Sequence, residues 1–305
     1  MASSANLPTV VISGATGWLG RETLERLAKG ISPRPAFDVI AISSNGRTIT
    51  LESGNELATQ TFENLVLPER IEGFVHLAFL TRDKVSTLEY EAYVLTNLKL
   101  ISNACQVIAQ AQPKWVVLVS SGAIFKNGTS ELENNVSENP YGFLKRIEES
   151  LIHDAATRVG ANVVIGRLWG ATGRYMPINR AYAISDFICQ AQTGGPIQVY
   201  SRNNVYRRYS DAGEFMDALI RAAEKGESFT LDSGGPLIEI GELASEIALR
   251  FPGVTVTREI SINDPSDDYY PRSSDYEAVA NRVGVDLSDI SRQIDRTHRG
   301  HISQF

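Results

Sequence analysis

Short apolar, β-branched runs alternate along the chain with longer stretches in which apolar residues recur at every third or fourth position. The short runs are VVIS at 10–13, VIAIS at 39–43, FVHLAF at 74–79, WVVLVSS at 115–121, NVVIGRL at 162–168 and FTLDS at 229–233. Each is apolar throughout, as a strand covered on both faces requires, and turn residues bound most of them. Helical stretches fill the gaps, notably Thr87 to Ala111 and Tyr141 to Val159, whose Leu, Ile, Val and Ala spacing suits packing on a sheet. This rhythm predicts an α/β fold, a parallel sheet joined by crossover helices.

After Leu168 the alternation loosens into Arg, Gly and aromatic segments, followed by a helix near Ile240 to Arg250 and a polar, tyrosine-containing tail. The expected division is a first unit over 1–168 with a returning segment at about 205–233, and a smaller second unit over 169–204 and 234–305. Repeats, low-complexity tracts and long linkers are absent.

Composition narrows the function classes. With 305 residues, 43% of them hydrophobic and 21% charged, the chain can bury a sizeable core. Its 29 Lys plus Arg against 36 Asp plus Glu give a net charge of -7, which disfavours nucleic acid and anionic membranes but leaves room for a local basic pocket. Cys105 and Cys189 lack CxxC spacing or a His neighbour and read as buried reduced thiols. No metal site is expected. The start, MASSANLPTVVISG, lacks a basic and a long apolar region, and no 18 apolar residues run together, so a cytoplasmic location is the default expectation. Without an export signal, the sequons at Asn127 and Asn135 read as chance matches.

The first strand runs into Gly14-Ala15-Thr16-Gly17-Trp18-Leu19-Gly20, followed by the helical RETLERLAKG. Glycines at a spacing of three in a strand-to-helix turn permit a tight turn, close backbone approach to a pyrophosphate and close helix packing, while the helix N-terminus favours negative charge. Gly14, Thr16, Gly17, Trp18, Leu19 and Gly20 are therefore the candidate dinucleotide loop. At the end of the second strand, where an acidic residue would accept the adenosine ribose hydroxyls, stand Ser43-Ser44-Asn45-Gly46-Arg47. Ser43, Ser44 and the Arg47 guanidinium suit a 2′-phosphate, so NADP is expected over NAD, which stays the alternative.

Tyr141 and Lys145 lie four apart at the start of a helix introduced by Asn139-Pro140, on one face, where the ammonium can lower the phenol's pKa. A strand ends in Ser120-Ser121 upstream, and a hydroxyl at a strand's carboxyl end faces the ligand crevice of a parallel sheet. Ser121 can then share a substrate oxygen with Tyr141.

The ordered set GATGWLG, HLAF, SSGAIF and YGFLK resembles the extended short-chain dehydrogenases/reductases, the superfamily of nucleotide-sugar epimerases, dehydratases and reductases, over nearly the whole chain. The resemblance implies a Rossmann-type doubly wound parallel sheet with a smaller C-terminal substrate-binding domain, and a Ser-Tyr-Lys triad on Ser121, Tyr141 and Lys145. It places Asn97 where the family supports the active-site helix and a proton relay, and Leu77 and Ala78 along the cofactor. His76 beside them reads as a packed histidine. Arg207 falls where many members bind substrate diphosphate, with Arg208 as the alternative. The resemblance also pairs the helices at 87–111 and 141–159 in a homodimer, with Leu88, Tyr93 and Leu151 as available apolar residues.

Departures from the family pattern bear on substrate. Gly122-Ala123 stands where the dehydratases carry an acidic pair, which argues against a 4,6-dehydratase. Gly170 replaces the usual Asn, Phe125 the usual Tyr, and the third strand, TQTFENL, lacks the Asp expected beside adenine. The leading expectation is an NAD(P)-dependent reductase of a 4-keto nucleotide sugar. An epimerase with retained NAD is the runner-up, reduction of a non-sugar ketone a third enzymatic reading, and a non-catalytic NADP-binding sensor the alternative from another class. The loop 126–139 and the tail DDYYPRSSD at 267–275 are candidates for closing over substrate.

Overall fold

The structure, a computed structural model, describes residues 7–28, 37–52, 54–126, 129–178, 181–261 and 264–302. Strands β1 (Thr9–Ser13), β2 (Asp38–Ile42), β3 (Thr48–Thr50), β4 (Glu56–Gln60), β5 (Gly73–His76), β6 (Trp115–Ser121) and β7 (Asn162–Leu168) fill the N-terminal part of the chain. The short strands β8 (Ala171–Thr172), β9 (Ile197–Val199), β10 (Val205–Arg208), β11 (Ser210–Asp211), β12 (Phe229–Asp232), β13 (Leu237–Glu239), β14 (Val256–Arg258) and β15 (Asp267–Tyr269) follow. The helices are α1 (Trp18–Ala28), α2 (Tyr90–Ala111), α3 (Pro140–Arg158), α4 (Ala183–Gln192), α5 (Ala212–Glu224), α6 (Ile240–Ala248), α7 (Tyr276–Val283) and α8 (Ile290–Ile302).

The central sheet has the order β12-β7-β6-β5-β1-β2-β4-β3, parallel except for the antiparallel β3 at one edge. Val10 pairs with Val39 on one side and Gly73 on the other. Alternation along each strand divides the core into two layers. Val10 and Ile12 of β1 with Val117 and Val119 of β6 pack with Leu24 of α1 and Phe215 and Leu219 of α5. Val11, Val116 and Leu118 point the other way, onto Val107 and Ile108 of α2 and Ile152 of α3. All seven residues of β6 are buried, which is why the run reads as continuously apolar. This is the Rossmann-type architecture expected from the sequence.

A second cluster joins Phe187 and Ile188 of α4, Ile197 of β9, Leu243 and Ile247 of α6 and Ile294 of α8. The C-terminal segment divides between the two cores. Tyr276, Val279 and Val283 of α7, expected to go with the smaller unit, pack instead with the sheet's core, where Tyr276 meets Phe215 edge-on at 5.4 Å.

Several boundaries differ from expectation. The strand expected over 74–79 stops at His76, because Leu77 and Ala78 turn toward Gly14. A 3-10 turn at Arg82–Ser86 precedes α2, which begins at Tyr90 rather than Thr87. Tyr93 is buried and its hydroxyl donates to the Leu80 carbonyl at 2.9 Å, so it is not an outward-facing apolar residue. Cys105 and Cys189 are half-buried rather than fully buried, and neither is in a disulfide. Among the described residues no helix is long and apolar enough to cross a membrane. Residues 1–6, part of the stretch searched for a leader, and Asn127 with Gly128 of the first sequon lie outside the described residues.

Candidate active site

Gly14 leaves β1 with φ +71°, and a Cβ on it would lie 2.6 Å from the Leu77 carbonyl carbon and 2.7 Å from the Ala78 nitrogen. Only glycine combines that left-handed turn with that approach. A Cβ on Gly20 would run into the Gly14 carbonyl oxygen, so the first turn of α1 presses directly on the loop. Gly17 donates its N–H to the Gly14 carbonyl at 3.0 Å and accepts from Arg21 at 2.9 Å, which launches the helix. The N-terminus of α1 thus opens at the carboxyl ends of β1 and β5, where the strand order reverses. This cradle, shaped by positions that exclude a Cβ, fits the pyrophosphate of a dinucleotide. Gly17 is exposed, with Thr16, Trp18 and Leu19 partly so. The Trp18 ring packs edge-on against Tyr182 at 6.0 Å and ties the loop to the second core.

At the end of β2, the Ser43 hydroxyl is bonded to the Thr59 hydroxyl at 2.7 Å and accepts from the Gly46 N–H at 3.1 Å. Ser43 therefore shapes the turn, and Ser44 and Arg47 are the exposed side chains of the trio. The Arg47 carbonyl accepts from Thr59 N at 3.0 Å, which holds the arginine beside the crevice while leaving its side chain in solvent.

Ser121 ends β6 and caps the 3-10 turn Gly122–Ile124, its hydroxyl accepting from Ala123 N at 3.1 Å. Asn139 caps α3 by accepting from Gly142 N at 2.9 Å and also donates to the Ala123 carbonyl at 3.1 Å. A Cβ on Gly142 would run into that same carbonyl. The helix start is therefore clamped onto the turn, and Tyr141 comes beside Ser121. Burial raises the Tyr141 phenol to about 12; the Ser121 hydroxyl opposes the shift and the Glu148 carboxylate adds to it.

Burial thus outweighs the lowering expected of Lys145. The Lys145 ammonium, 5% exposed, donates to the Val119 carbonyl at 2.9 Å and to Glu148 Oε2 at 2.8 Å. It also sits 4.0 Å above the Phe79 ring, whose edge meets Tyr141 at 5.8 Å. A carboxylate three residues along the same helical face already matches its charge. Neither Glu148 nor its ion pair was foreseen, although the i,i+3 spacing from Lys145 is visible in the sequence.

Asn97 is fully buried in α2, accepts from Leu80 N at 2.8 Å and donates to the Tyr93 carbonyl at 3.2 Å. Those bonds support the segment after β5 rather than α3. Among the described residues no group of three or more His, Cys, Asp or Glu is placed to hold a metal.

The opposite wall is aromatic. Trp169 stacks on Phe125 at 6.0 Å and meets Tyr269 at 4.9 Å, and its indole N–H donates to Asp232 at 2.7 Å. A Cβ on Gly122 would strike the Trp169 ring, so the indole fills the space beside the serine turn. Gly170 has a similar cause: a Cβ there would run into the Arg208 carbonyl. Tyr269 is pushed up to about 12 by burial and by the neighbouring Tyr141, with the Ser121 hydroxyl again opposing. Two phenols therefore approach one serine; the second lies in the segment 267–275 expected to close over substrate, although its approach to Ser121 was not foreseen, nearly 150 residues away in sequence. Arg207 donates to Asp267 Oδ2 at 2.9 Å and to the Asp267 carbonyl at 2.8 Å, with its guanidinium 5.7 Å from the Tyr269 ring centre. Arg208 donates to the Gly235 carbonyl at 2.7 Å.

Comparison with known proteins agrees with this geometry. Residues 10–233 match the model of the NAD dependent epimerase/dehydratase family. A UDP-glucose 4-epimerase of Azospirillum brasilense is 24% identical over 245 residues, 72% of this chain and 69% of that protein. UDP-glucuronic acid decarboxylase 3 of Arabidopsis thaliana is 27% identical over 107 residues, which span 34% of this chain and about a third (31%) of the relative. Among solved structures, a UDP-N-acetylglucosamine 4-epimerase of Methanobrevibacter ruminantium, in complex with UDP-N-acetylmuramic acid, superposes with a TM-score of 0.78 at 18% identity, covering 99% of this chain and 100% of that one. A dTDP-glucose 4,6-dehydratase of Streptomyces venezuelae solved with NAD gives 0.72 at 18% identity, covering 97% of each. The glycine cradle, the strand order around it and the family match over most of the chain together place this protein in the NAD-dependent epimerase/dehydratase family.

Proposed function

We propose that the chain is an NAD(P)-dependent oxidoreductase acting at a secondary alcohol or ketone of a nucleotide-activated sugar, with reduction of a 4-keto sugar as the leading reaction. The observation that carries it is the convergence of Ser121 and the Tyr141 phenol beside the glycine cradle, at the carboxyl end of the sheet. Gly14, Thr16, Gly17, Trp18, Leu19 and Gly20 hold the pyrophosphate, Leu77 and Ala78 line its path, and Ser44 and Arg47 face the adenosine ribose. A bound nicotinamide dinucleotide supplies the hydride donor or acceptor.

Tyr141 passes the proton to or from the substrate oxygen, Ser121 orients that oxygen, and Lys145, paired with Glu148, places its ammonium beneath them. A phenol at about 12 holds its proton at neutral pH, which suits the donor role of a reductase. Arg207 is the candidate diphosphate ligand, and a diphosphate there must compete with Asp267. A Cβ on Gly122 would strike the Trp169 indole, which argues against an acidic side chain at the first position of a 4,6-dehydratase pair.

An epimerase that retains NAD is the second reading, favoured by the Azospirillum relative. The absence of a carboxylate after β2 and the exposed Arg47 favour exchangeable NADPH instead. Incubation with NADPH or NADH and a panel of UDP- and dTDP-linked keto sugars, followed by nicotinamide absorbance, tests the reductase. Interconversion of UDP-sugars without added cofactor would replace it with the epimerase. Tight dinucleotide binding with turnover of neither set would favour a sensor.

We also propose a homodimer through α2 and α3, which pack side by side and expose Leu95 and Leu151, with Leu88 exposed just before α2. Light scattering that gives a particle near the 33.4 kDa chain mass would overturn it.

A further inference from the structure

Beneath the candidate site runs a buried polar chain that no step above uses. Ser13, at the end of β1, bonds through its hydroxyl to His76 Nδ1 at 2.6 Å and accepts from the Leu77 N–H at 3.2 Å. The far ring nitrogen of His76 lies 3.3 Å from Glu148 Oε1, and Glu148 Oε2 accepts from Lys145 at 2.8 Å. Ser13 and His76 are fully buried, and Glu148 is 1% exposed. Ser13 Oγ and His76 Nδ1 share one hydrogen bond, and Nε2 sits within ion-pair distance of the carboxylate without a hydrogen bond of its own. The chain thus links the strand before the glycine loop to the lysine below Tyr141.

We propose that Glu148, backed by His76, is a positioning residue for Lys145: it fixes the ammonium, neutralises it beneath the Tyr141 phenol, and so sets the pH at which that phenol gives up its proton. The inference rests on the reading of Tyr141 as the proton-transfer group.

Neighbouring residues on α3 separate this role from a structural one. Glu149 is held bidentately by Arg167, at 2.9 and 2.8 Å, which anchors α3 to β7. Glu148 makes no such anchor and spends both oxygens on His76 and Lys145. A carboxylate this deep is costly unless paired, and its pair is the one cation expected beside the phenol. Its charge reaches further: it raises Tyr141, after burial, and adds to the burial-driven rise of Tyr93 and Cys105 on α2. Other groups facing the phenol are Arg82 and Asp83 of the 3-10 turn, Ser121 of β6, Tyr182 before α4 and Tyr269 of β15. Arg82 and Asp83 pull in opposite directions.

The test is a pH titration of protein carrying carbon-13 at the tyrosine Cζ, with the Tyr141 signal assigned by its loss in Tyr141→Phe. In Glu148→Gln the Tyr141 midpoint is expected to fall by about one pH unit or more, because the ammonium is no longer neutralised. Glu148→Asp keeps the charge and is expected to fall less. In a Lys145→Met background, Glu148→Gln is expected to lower the midpoint less, measured against Lys145→Met alone, since the larger part of the effect runs through the lysine. Glu149→Gln is expected to leave the midpoint in place. Glu148→Met, of similar volume and without a buried amide, serves if the glutamine variant does not fold, and the same fall is expected. An unmoved midpoint in a folded Glu148 variant, an undiminished fall in the Lys145→Met background, or an equal fall in Glu149→Gln overturns the inference. The signal needs no turnover, so failure of the proposed reaction and failure of this assignment are read separately.

Discussion

On the dinucleotide side of the crevice the shaping contacts are made by backbone: Gly14 against Leu77 and Ala78, and Gly20 against Gly14 itself. On the facing side they are made by side chains, with Phe125 stacked on Trp169, Tyr269 tilted against the same indole, and Arg207 paired to Asp267. Backbone contacts at fixed glycines tolerate almost no change and recognise what all dinucleotides share. A side-chain wall can be rebuilt one residue at a time, which under the proposed function makes it the candidate seat of substrate choice. The family match ends at 233, before Tyr269 and Asp267.

The largest expected effect breaks the chemistry between the two sides. Tyr141→Phe should lower kcat by about 100- to 10,000-fold while dinucleotide affinity stays unchanged, measured by steady-state rates and by fluorescence titration. Retained turnover would remove the phenol from the mechanism. Next comes the backbone side, where Gly20→Ala drives a methyl into the Gly14 carbonyl. Dinucleotide affinity should fall by about 100-fold, close to 3 kcal/mol, with substrate-side binding of UDP little changed. Equal loss of both ligands would mean that the two sides are not separable.

How much of this was legible from the sequence follows the same division. The strands 115–121 and 162–168 match the structure end to end because each has an unbroken buried apolar middle, Val116 to Val119 and Val163 to Ile165. The glycine loop was legible because its constraint lies within seven consecutive residues. Asn139 and Pro140 likewise marked the start of α3. The end of β5 was misjudged because it depends on Gly14, more than 60 residues upstream. The pKa of Tyr141 was misjudged because spacing on a helix shows that Lys145 is near, but not that the phenol is buried or that Glu148 pairs with the lysine. Tyr269 reaches Ser121 through strand pairing of β15 with β10, for which no local pattern exists.

On the side-chain wall a smaller effect is expected. Asp267→Asn removes the carboxylate that neutralises Arg207, so UDP affinity measured by calorimetry should rise about threefold, or roughly 0.7 kcal/mol. Unchanged or weaker binding would mean that Arg207 does not meet the diphosphate.

The smallest effect concerns the joint between the two cores. Burial, with Asp211 close by, raises Glu22 on α1 to about 7, while Arg296, the Tyr175 N–H and Arg26 oppose the rise. Its folded pKa exceeds the unfolded value of 4.5, so its stabilising contribution is full below that value and is lost as pH rises through about 7. Glu22→Gln should therefore raise Tm more at pH 8 than at pH 5. An equal change at both would mean that Glu22 is already ionised in the folded protein across this range.

The most direct test of the dinucleotide cradle and its preference is to denature the purified protein, identify any released nucleotide by chromatography, and titrate the native protein with NADPH and NADH. The expected result is protein that carries no retained NAD and binds NADPH more tightly than NADH, with the preference lost in Arg47→Ala. Binding of neither nucleotide by folded protein would contradict the cradle itself, and retained NAD would contradict the exchange of cofactor on which the reductase depends.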